Sequence, residues 1–513
     1  MKARTMPQVF LIFLLIAFPS WTNDAAAQDA GAPTQIDLSE RADVLIITSD
    51  DLAESWKPFA DWKTQSGRPT KIVSISTIQD DFEGEDLQQK IRLCCLDHIE
   101  NQNTRWVILG GDSSEDAGNV PDRDTDHTEY EALPYDNIPT DLYYISEKDW
   151  DANDDGVYGL FSEDLDEVEY FNPTACIGRI PVRTPEDVTA YTEKVIAYES
   201  RYPVGHFAKH MMYTCPEPGA YPKLNTSIDQ LETNWEHGQI NRFFANETPW
   251  DNEKLGDYDL TANHWADMIN DRRASKMHMH GHGLLNLWAL ERGSKITART
   301  ISKLENKNAF PIITTVSCLT GQYDNKQDPS IAESMIRLPN AGAIAILAPS
   351  REGVAFMLKN SDYRLMMTEG KMDGTTTAYC RFWSIALGQQ LTLGEAFRQV
   401  KIEMAEDAKN NVGFHLLQCE LNLLGDPTLD PRAKPPRAFS PRVRISEDNT
   451  LTVRRCPNAN ICVWGDGDQE YFVGTTDKAG TFRLELGEDA KGKYRVTVSA
   501  PSFNIWSESI EVE

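Results

Sequence analysis

The sequence predicts an α/β chain of parallel sheets flanked by helices in two lobes, followed by an all-β sandwich. Three observations carry that prediction. Between Asp43 and Asp430 short apolar runs alternate with amphipathic segments, the strand–helix–strand rhythm of a parallel sheet covered on its faces. Beyond the linker the rhythm changes to short stretches of alternating apolar and polar residues with turn signals between them, as in stacked antiparallel sheets. The Pro-rich run PRAKPPRAFSPR, residues 431–442, separates the two regimes.

Taken in order, residues 1–27 have the build of a secretory leader. Lys2 and Arg4 supply a positive start, Val9 to Phe18 an apolar centre, and Ala25-Ala26-Ala27 a small-residue cleavage site. The apolar run falls short of the roughly 20 residues that span a bilayer. Cleavage after Ala27 is expected, with export across a bacterial inner membrane to a secreted, periplasmic or cell-surface location; an uncleaved anchor is the alternative. No second long apolar run follows, so no membrane span is expected in the mature chain. The expected division is leader 1–27, N-terminal α/β lobe 28–202, second α/β lobe 203–430 and β-sandwich 431–513.

In the first lobe ADVLIITS, TKIVSIS and RWVILGGD read as strands, and ESWKPFADWKTQSG and DLQQKIRLCCLDHIENQ as helices. IGRIPV is a further strand, followed by a helix that starts near Pro185, where proline's fixed φ is tolerated. In the second lobe HMMYTC, KMHMH, AFPIITTVS and AGAIAILAPS read as strands, and LTLGEAFRQVKIEMAED as a late helix.

The formal charge is −29. Lys2 and Arg4 against Asp24 make the leader slightly positive, so the rest is a little more acidic still. Such a balance argues against nucleic acid as a partner, because binding phosphates needs basic patches. It suits a cation-binding or simply acidic exported protein. Nine Cys are too few for a dense disulfide framework in a chain of this length. Cys456 and Cys462 flank a hairpin-like PNANI and are a candidate pair; the odd count leaves at least one free thiol, for which Cys318 is the candidate.

Within the acidic stretch before IGRIPV lies DWDANDDGVYG. Asp151, Asn153 and Asp155 offer oxygens at alternate positions, Gly156 permits a sharp turn, and the Val157 carbonyl adds a donor, which suits calcium. The position where an EF-hand loop carries its bidentate Glu holds Ser162, with Glu163 next. A solvated acidic turn is the alternative.

Two strands of the second lobe end in reactive side chains: His282, between Gly281 and Gly283, and Cys318, after Ser317. Parallel strands present their functional groups at their carboxyl ends. An imidazole beside a thiol is the minimal set for nucleophilic acyl transfer. The N–H groups of Gly283 and Cys318 are candidate oxyanion donors. His278, His280 and His282 alternate, so on a strand they share a face, and zinc is a competing reading. No acidic companions accompany them, as a hydrolytic zinc site would have.

At this point the chain resembles the gingipain family of cysteine peptidases. The resemblance rests on Gly281-His282-Gly283 and Cys318, and on FADWKTQSG (Phe59 to Gly67), WVILGGD (Trp106 to Asp112), IGRIPV (Ile177 to Val182) with EKVIAYE, and LLGDPTL (Leu423 to Leu429), in the family's order. It implies a caspase-like fold, an immunoglobulin-like tail and a secreted endopeptidase acting on protein or peptide. Cys318 would be the nucleophile and His282 the base. Glu217, in the CPEPG turn, would orient His282. Calcium is a family property, not needed for the chemistry. Preference for a basic residue before the cleaved bond would rest on Asp229, with a one-residue shift of alignment. Where the family has a pocket Trp this chain has PSREGVAF, and Arg351 there would repel a basic side chain if it faced the pocket. The reading from another class is a secreted or cell-surface binding protein on an inactive peptidase fold.

Overall fold

Short, largely apolar runs make the strands of a ten-stranded sheet, and most of its central strands are buried along their whole length while the edge strand Thr70–Ser74 is not. In chain order they are β1 (Val44–Thr48), β2 (Thr70–Ser74), β3 (Trp106–Gly110), β4 (Cys176–Arg179), β5 (His210–Cys215), β6 (Gln239–Phe244), β7 (Lys276–Met279), β8 (Ile312–Thr315), β9 (Ala345–Pro349) and β10 (Leu421–Gly425). Their order across the sheet is β2-β1-β3-β4-β10-β9-β8-β7-β5-β6. The computed structural model describes residues 33–512 apart from short stretches, the longest being 165–171, 217–227, 245–259 and 354–374. The expected leader, 1–27, lies outside the described residues.

Every neighbouring pair is parallel except one. β9 and β10 run antiparallel, Ala345 opposite Gly425. The sheet is therefore two parallel halves joined back to back, with their carboxyl ends at opposite edges. The two lobes read from the sequence share this one sheet. The last strand, β10, returns to pair with β4 of the first half through Leu424 and Arg179.

The flanking helices follow local rules. α1 (Lys57–Gln65) has Pro at its start. α2 (Leu87–Asn101) is capped by Asp86, which accepts from the Gln89 N–H. α3 (Pro185–Ser200) begins with Pro185 and a Thr184–Asp187 capping box. α4 (Leu393–Asn410) and α5 (Val412–Glu420) follow one another, and α5 runs straight into β10.

Three of the motifs read as family-like meet in one buried ion network. Lys63 of FADWKTQSG reaches Glu199, the last residue of EKVIAYE in α3, at 2.9 Å and Asp426 of LLGDPTL at 2.6 Å. The Trp62 indole donates to the same Glu199 at 2.7 Å. Burial pushes Glu199 up, but Lys63 and Arg68 outweigh it and hold the carboxyl below its ordinary range. Arg179 of IGRIPV is wholly buried, clasped to Asp141 and donating to the carbonyls of Gly111, Val120 and Pro121. The ordered spacing of these motifs is thus a framework feature.

After the linker seven antiparallel strands form two sheets. β11 (Arg442–Ile445), β12 (Thr450–Arg454) and β15 (Thr481–Glu485) make one; β14 (Tyr471–Thr475), β13 (Asn460–Gly465), β16 (Gly492–Ser499) and β17 (Trp506–Val512) make the other, in that order. Inward residues of both, such as Val453, Phe482, Val463 and Val496, share one core. Thr34–Gln35 adds a strand beside β14. This tail docks on the end of α1: the Tyr471 hydroxyl donates to the Thr64 carbonyl at 2.7 Å and the Arg495 guanidinium to Gln65 at 3.3 Å. The candidate Cys456–Cys462 disulfide is not formed. Both thiols are free and buried; Cys456 faces the Arg454 carbonyl, and Cys462 faces the Thr64 carbonyl across the docking interface.

Candidate active site

β7 and β8 are parallel neighbours, Lys276 opposite Ile312 and Met279 opposite Thr315. Both are buried throughout. His278 and His280 therefore point into packing. His278 Nδ1 lies 2.7 Å from the Thr314 hydroxyl, and its ring rests on Tyr213 with centroids 4.4 Å apart. His280 is buried beside the same tyrosine. The alternation stops at Gly281, whose φ is +149° and where a Cβ would come within 2.8 Å of Pro216. His282 then emerges exposed at the sheet edge. Two buried packing imidazoles and one exposed ring do not converge, so the zinc reading of this His triplet is corrected.

After His282 the chain makes a tight hairpin, Gly283–Leu284 against Leu287–Ala289, and the Ala289 N–H returns to the His282 carbonyl at 2.9 Å. Gly283 is where the two halves of the site meet. A Cβ there would lie 2.6 Å from the Thr320 methyl, 2.7 Å from Ser317 Cβ and 2.9 Å from the Cys318 carbonyl. Only glycine lets the backbone after His282 lie on the backbone of the Cys318 turn.

That turn is pinned on every side. The Val316 N–H donates to the Met279 carbonyl at 3.1 Å, Ser317 N–H to the Thr315 hydroxyl at 3.1 Å, Leu319 N–H to the Arg351 carbonyl at 2.7 Å and Gly321 N–H to the Pro349 carbonyl at 3.0 Å. Leu319 takes the left-handed conformation, φ +61°. The Cys318 thiol is half-buried. Burial pushes it above its ordinary range, a hydrogen bond from the Gly353 backbone opposes this, and the Glu352 and Glu420 carboxylates raise it further. These surroundings favour the neutral thiol over the thiolate, so a base beside it would help to make the nucleophile.

The loop after β9 forms the adjoining wall. Arg351, expected as a charge facing substrate, is only 4% exposed. Its guanidinium holds Asp324 through contacts of 2.9 and 2.7 Å and also donates to the Asn137 and Ser350 carbonyls. Its charge is spent inside the protein, which corrects the repulsive-pocket reading. Glu352 is the carboxylate beside the thiol, and the Tyr135 hydroxyl donates to it. Neither was picked out from the sequence. Glu352 adjoins Arg351 in the sequence, whereas Tyr135 carries no local signal.

Asp229 carries an exposed carboxylate that pairs with Arg242 on β6. Arg242 lies on the edge strand of the sheet, three strand spacings, roughly 14 Å, from β8. Glu217 lies outside the described residues. In the acidic loop the oxygens of Asp151 and Asn153 accept from the Asp155 N–H at 3.0 and 3.2 Å, and Asp151 also accepts from Gly156 N–H at 2.8 Å. Asp155 accepts from the Val157 N–H at 2.8 Å, and the Asn153 amide reaches Glu163 at 2.8 Å. Asp154 and Gly156 have positive φ. The Asp151, Asn153 and Asp155 oxygens thus accept backbone N–H groups of their own loop, and oxygen donors of this kind are the type a hard cation takes.

A family model for peptidase family C25 matches residues 37–432. The chain belongs to peptidase family C25. It is a cysteine-type endopeptidase of that family. The structure is similar to that of the Arg-specific cysteine proteinase gingipain R (RgpB), with TM-score 0.66 and 18% identity over 94% of this chain and 100% of the other. It is also similar to the complex of the RgpB pro- and mature domains from Porphyromonas gingivalis, TM-score 0.64 and 19% identity over 92% and 100%. A third structure, described only as a protease, gives TM-score 0.61 and 15% identity over 92% and 97%. At these identities the structures show a shared C25 fold. No curated protein matches the sequence.

Proposed function

We propose that this C25 peptidase works through a Cys318–His282 dyad, is exported, and cleaves after basic residues. The observation that carries the dyad is the contact of Gly283 with Ser317, Cys318 and Thr320. It sets the residue after His282 directly on the turn that holds the thiol.

His282 takes the proton from Cys318 Sγ, and the thiolate attacks the carbonyl carbon of the scissile bond. The Gly283 and Cys318 N–H groups donate to the oxygen as it becomes negative. As the tetrahedral centre collapses the C–N bond breaks, and His282 returns the proton to the leaving amine. Water, deprotonated by the same imidazole, then hydrolyses the thioester. Glu217 is the proposed orienting group for His282; its neighbour Pro216 packs on Gly281.

Glu352 supports a preference for basic side chains, because it brings a carboxylate beside the nucleophile while the Arg351 charge is neutralised. Asp229 is the second candidate carboxylate. A carboxylate in a pocket favours guanidinium, with its two charge-assisted hydrogen bonds, over ammonium. We also propose that the Asp151 loop binds calcium, and that the tail is an immunoglobulin-like sandwich. The tail's seven strands, with the first, second and fifth in one sheet, support the latter. The leader at 1–27 supports export.

The test is a set of peptides alike except for Arg, Lys, Ala, Leu or Asp before a fluorogenic leaving group. Arg or Lys should lead by about tenfold or more, about 1.4 kcal/mol of transition-state binding. Glu352→Gln or Asp229→Ala should erase that lead, and the one that does identifies the pocket. A lead for Ala or Asp overturns the basic preference. An inert enzyme towards all five peptides and towards protein favours the binding-protein reading.

A further inference from the structure

His127, His415 and Cys419 form a buried cluster whose ligand atoms all lie within 4.8 Å of one another. It is separate from the dyad. We propose that it is a structural site for a transition-metal ion, zinc by its ligand set, that clamps two elements beneath the active-site wall.

Three features argue for this. His415 and Cys419 are four apart on α5, so they project from one helix face, the spacing by which helices pair ligands. The third donor, His127, comes from the far side, just after the strand Arg123–Thr125. Two imidazoles and a thiolate are soft to borderline donors that suit zinc or copper rather than calcium or magnesium.

His127 also has the surroundings of a ligand. Its Nε2 is 3.0 Å from the Thr125 hydroxyl, which fixes the ring. Its Nδ1 is buried with no hydrogen-bond partner among the described residues. One ring nitrogen oriented by a neighbouring group and the other left for the ion is the usual state of a metal-binding histidine. The distances fit a small contraction. Bonds of about 2.0–2.3 Å in tetrahedral geometry hold ligand atoms about 3.5 Å apart. Water would complete the four.

The consequence reaches the dyad. Strands Arg123–Thr125 and Ile138–Thr140 form a hairpin. Its connecting loop carries Tyr135, which holds Glu352, and Asn137, which holds Arg351. At the other end of the clamp, the carbonyl of Glu420, next to Cys419, accepts from the Ser350 N–H at 2.9 Å. An ion joining His127 to α5 would therefore fix both anchors of the Ser350–Gly353 wall.

The experiment measures metal content of the full chain after gel filtration in a weak chelator, then cobalt substitution. Wild type and Cys318→Ala should each keep about one equivalent of zinc or copper, and cobalt should give thiolate charge-transfer and tetrahedral d–d absorption. Cys419→Ser should lose both. Apo wild type, prepared with a strong chelator and shown folded by circular dichroism, should regain the metal and the spectrum, so the result does not hang on a variant's folding. Folded wild type that takes up no zinc, copper or cobalt would overturn the site, as would a cobalt spectrum unchanged in Cys419→Ser. Either outcome leaves the dyad reading untouched, since Cys318→Ala tests that separately.

Discussion

The Cys318 thiol sits under opposing influences, and its neighbours make a testable residue-scale prediction. Burial raises its pKa first, the Gly353 hydrogen bond lowers it, and Glu352 and Glu420 raise it again. Removing the Glu352 charge must therefore move the thiol downward. Glu352→Gln should shift the pH profile of Cys318 alkylation by iodoacetamide to lower pH, with a faster rate at neutral pH. A profile unmoved or shifted upward would show that Glu352 does not act on the thiol. His282→Ala and Cys318→Ala should each remove nearly all peptidase activity, because the members of the proposed dyad act as a unit. Residual turnover near that of wild type in either would exclude the mechanism. Legibility at this scale was uneven. His282 and Cys318 were readable because strand ends and flanking glycines are local signals. Tyr135, 217 positions from its partner Glu352, was not. Nor was the Arg351–Asp324 pair, which exists only because the fold brings two loops together.

Elements are held to one another by buried charge and by closed loops. Lys63 joins α1 to the end of α3 and to the turn after β10 through Glu199 and Asp426. Lys63→Met would leave buried Asp426 without its cation and Glu199 with only the more distant Arg68, and should cost about 3–5 kcal/mol in denaturant melts. A loss under about 1 kcal/mol would show that the network is solvated. Because Glu199 is held below its ordinary value, its contribution is present above the unfolded carboxylate pKa and fades as pH falls through the folded one. The Lys63→Met penalty should accordingly shrink on acidification. In the acidic loop, calcium should raise the melting temperature by mass action, and Asp151→Ala should remove most of that gain. Identical melts with calcium and with chelator would dismiss the site. Strands and helices were legible because periodicity and capping residues are local. The continuous sheet was not, since the return of β10 to β4 is a pairing over more than two hundred residues that no local pattern encodes.

At the scale of the whole molecule, a ten-stranded sheet carries the proposed dyad on one edge, and a two-sheet tail braces the opposite half through α1. Gln65 and Thr64 of α1 contact the tail, and the Ile505 N–H donates to the carbonyl of Glu199. Truncation after Asp430 should therefore lower the melting temperature and expose buried backbone groups, while leaving any surviving folded enzyme with an intact dyad. The change from helical to alternating patterning marked the tail in the sequence. Its docking was hidden, and the flanked PNANI turn suggested a disulfide where Cys462 instead faces α1. The claim on which the account turns is that Cys318, activated by His282, attacks the substrate. An arginyl chloromethyl ketone, which mimics a substrate and traps the nucleophile, measures this most directly when the adduct is mapped by mass spectrometry. The account predicts stoichiometric labelling at Cys318 alone, with loss of activity in step, and no labelling at that rate in His282→Ala. An adduct on another cysteine, or full activity after Cys318 is labelled, would contradict it.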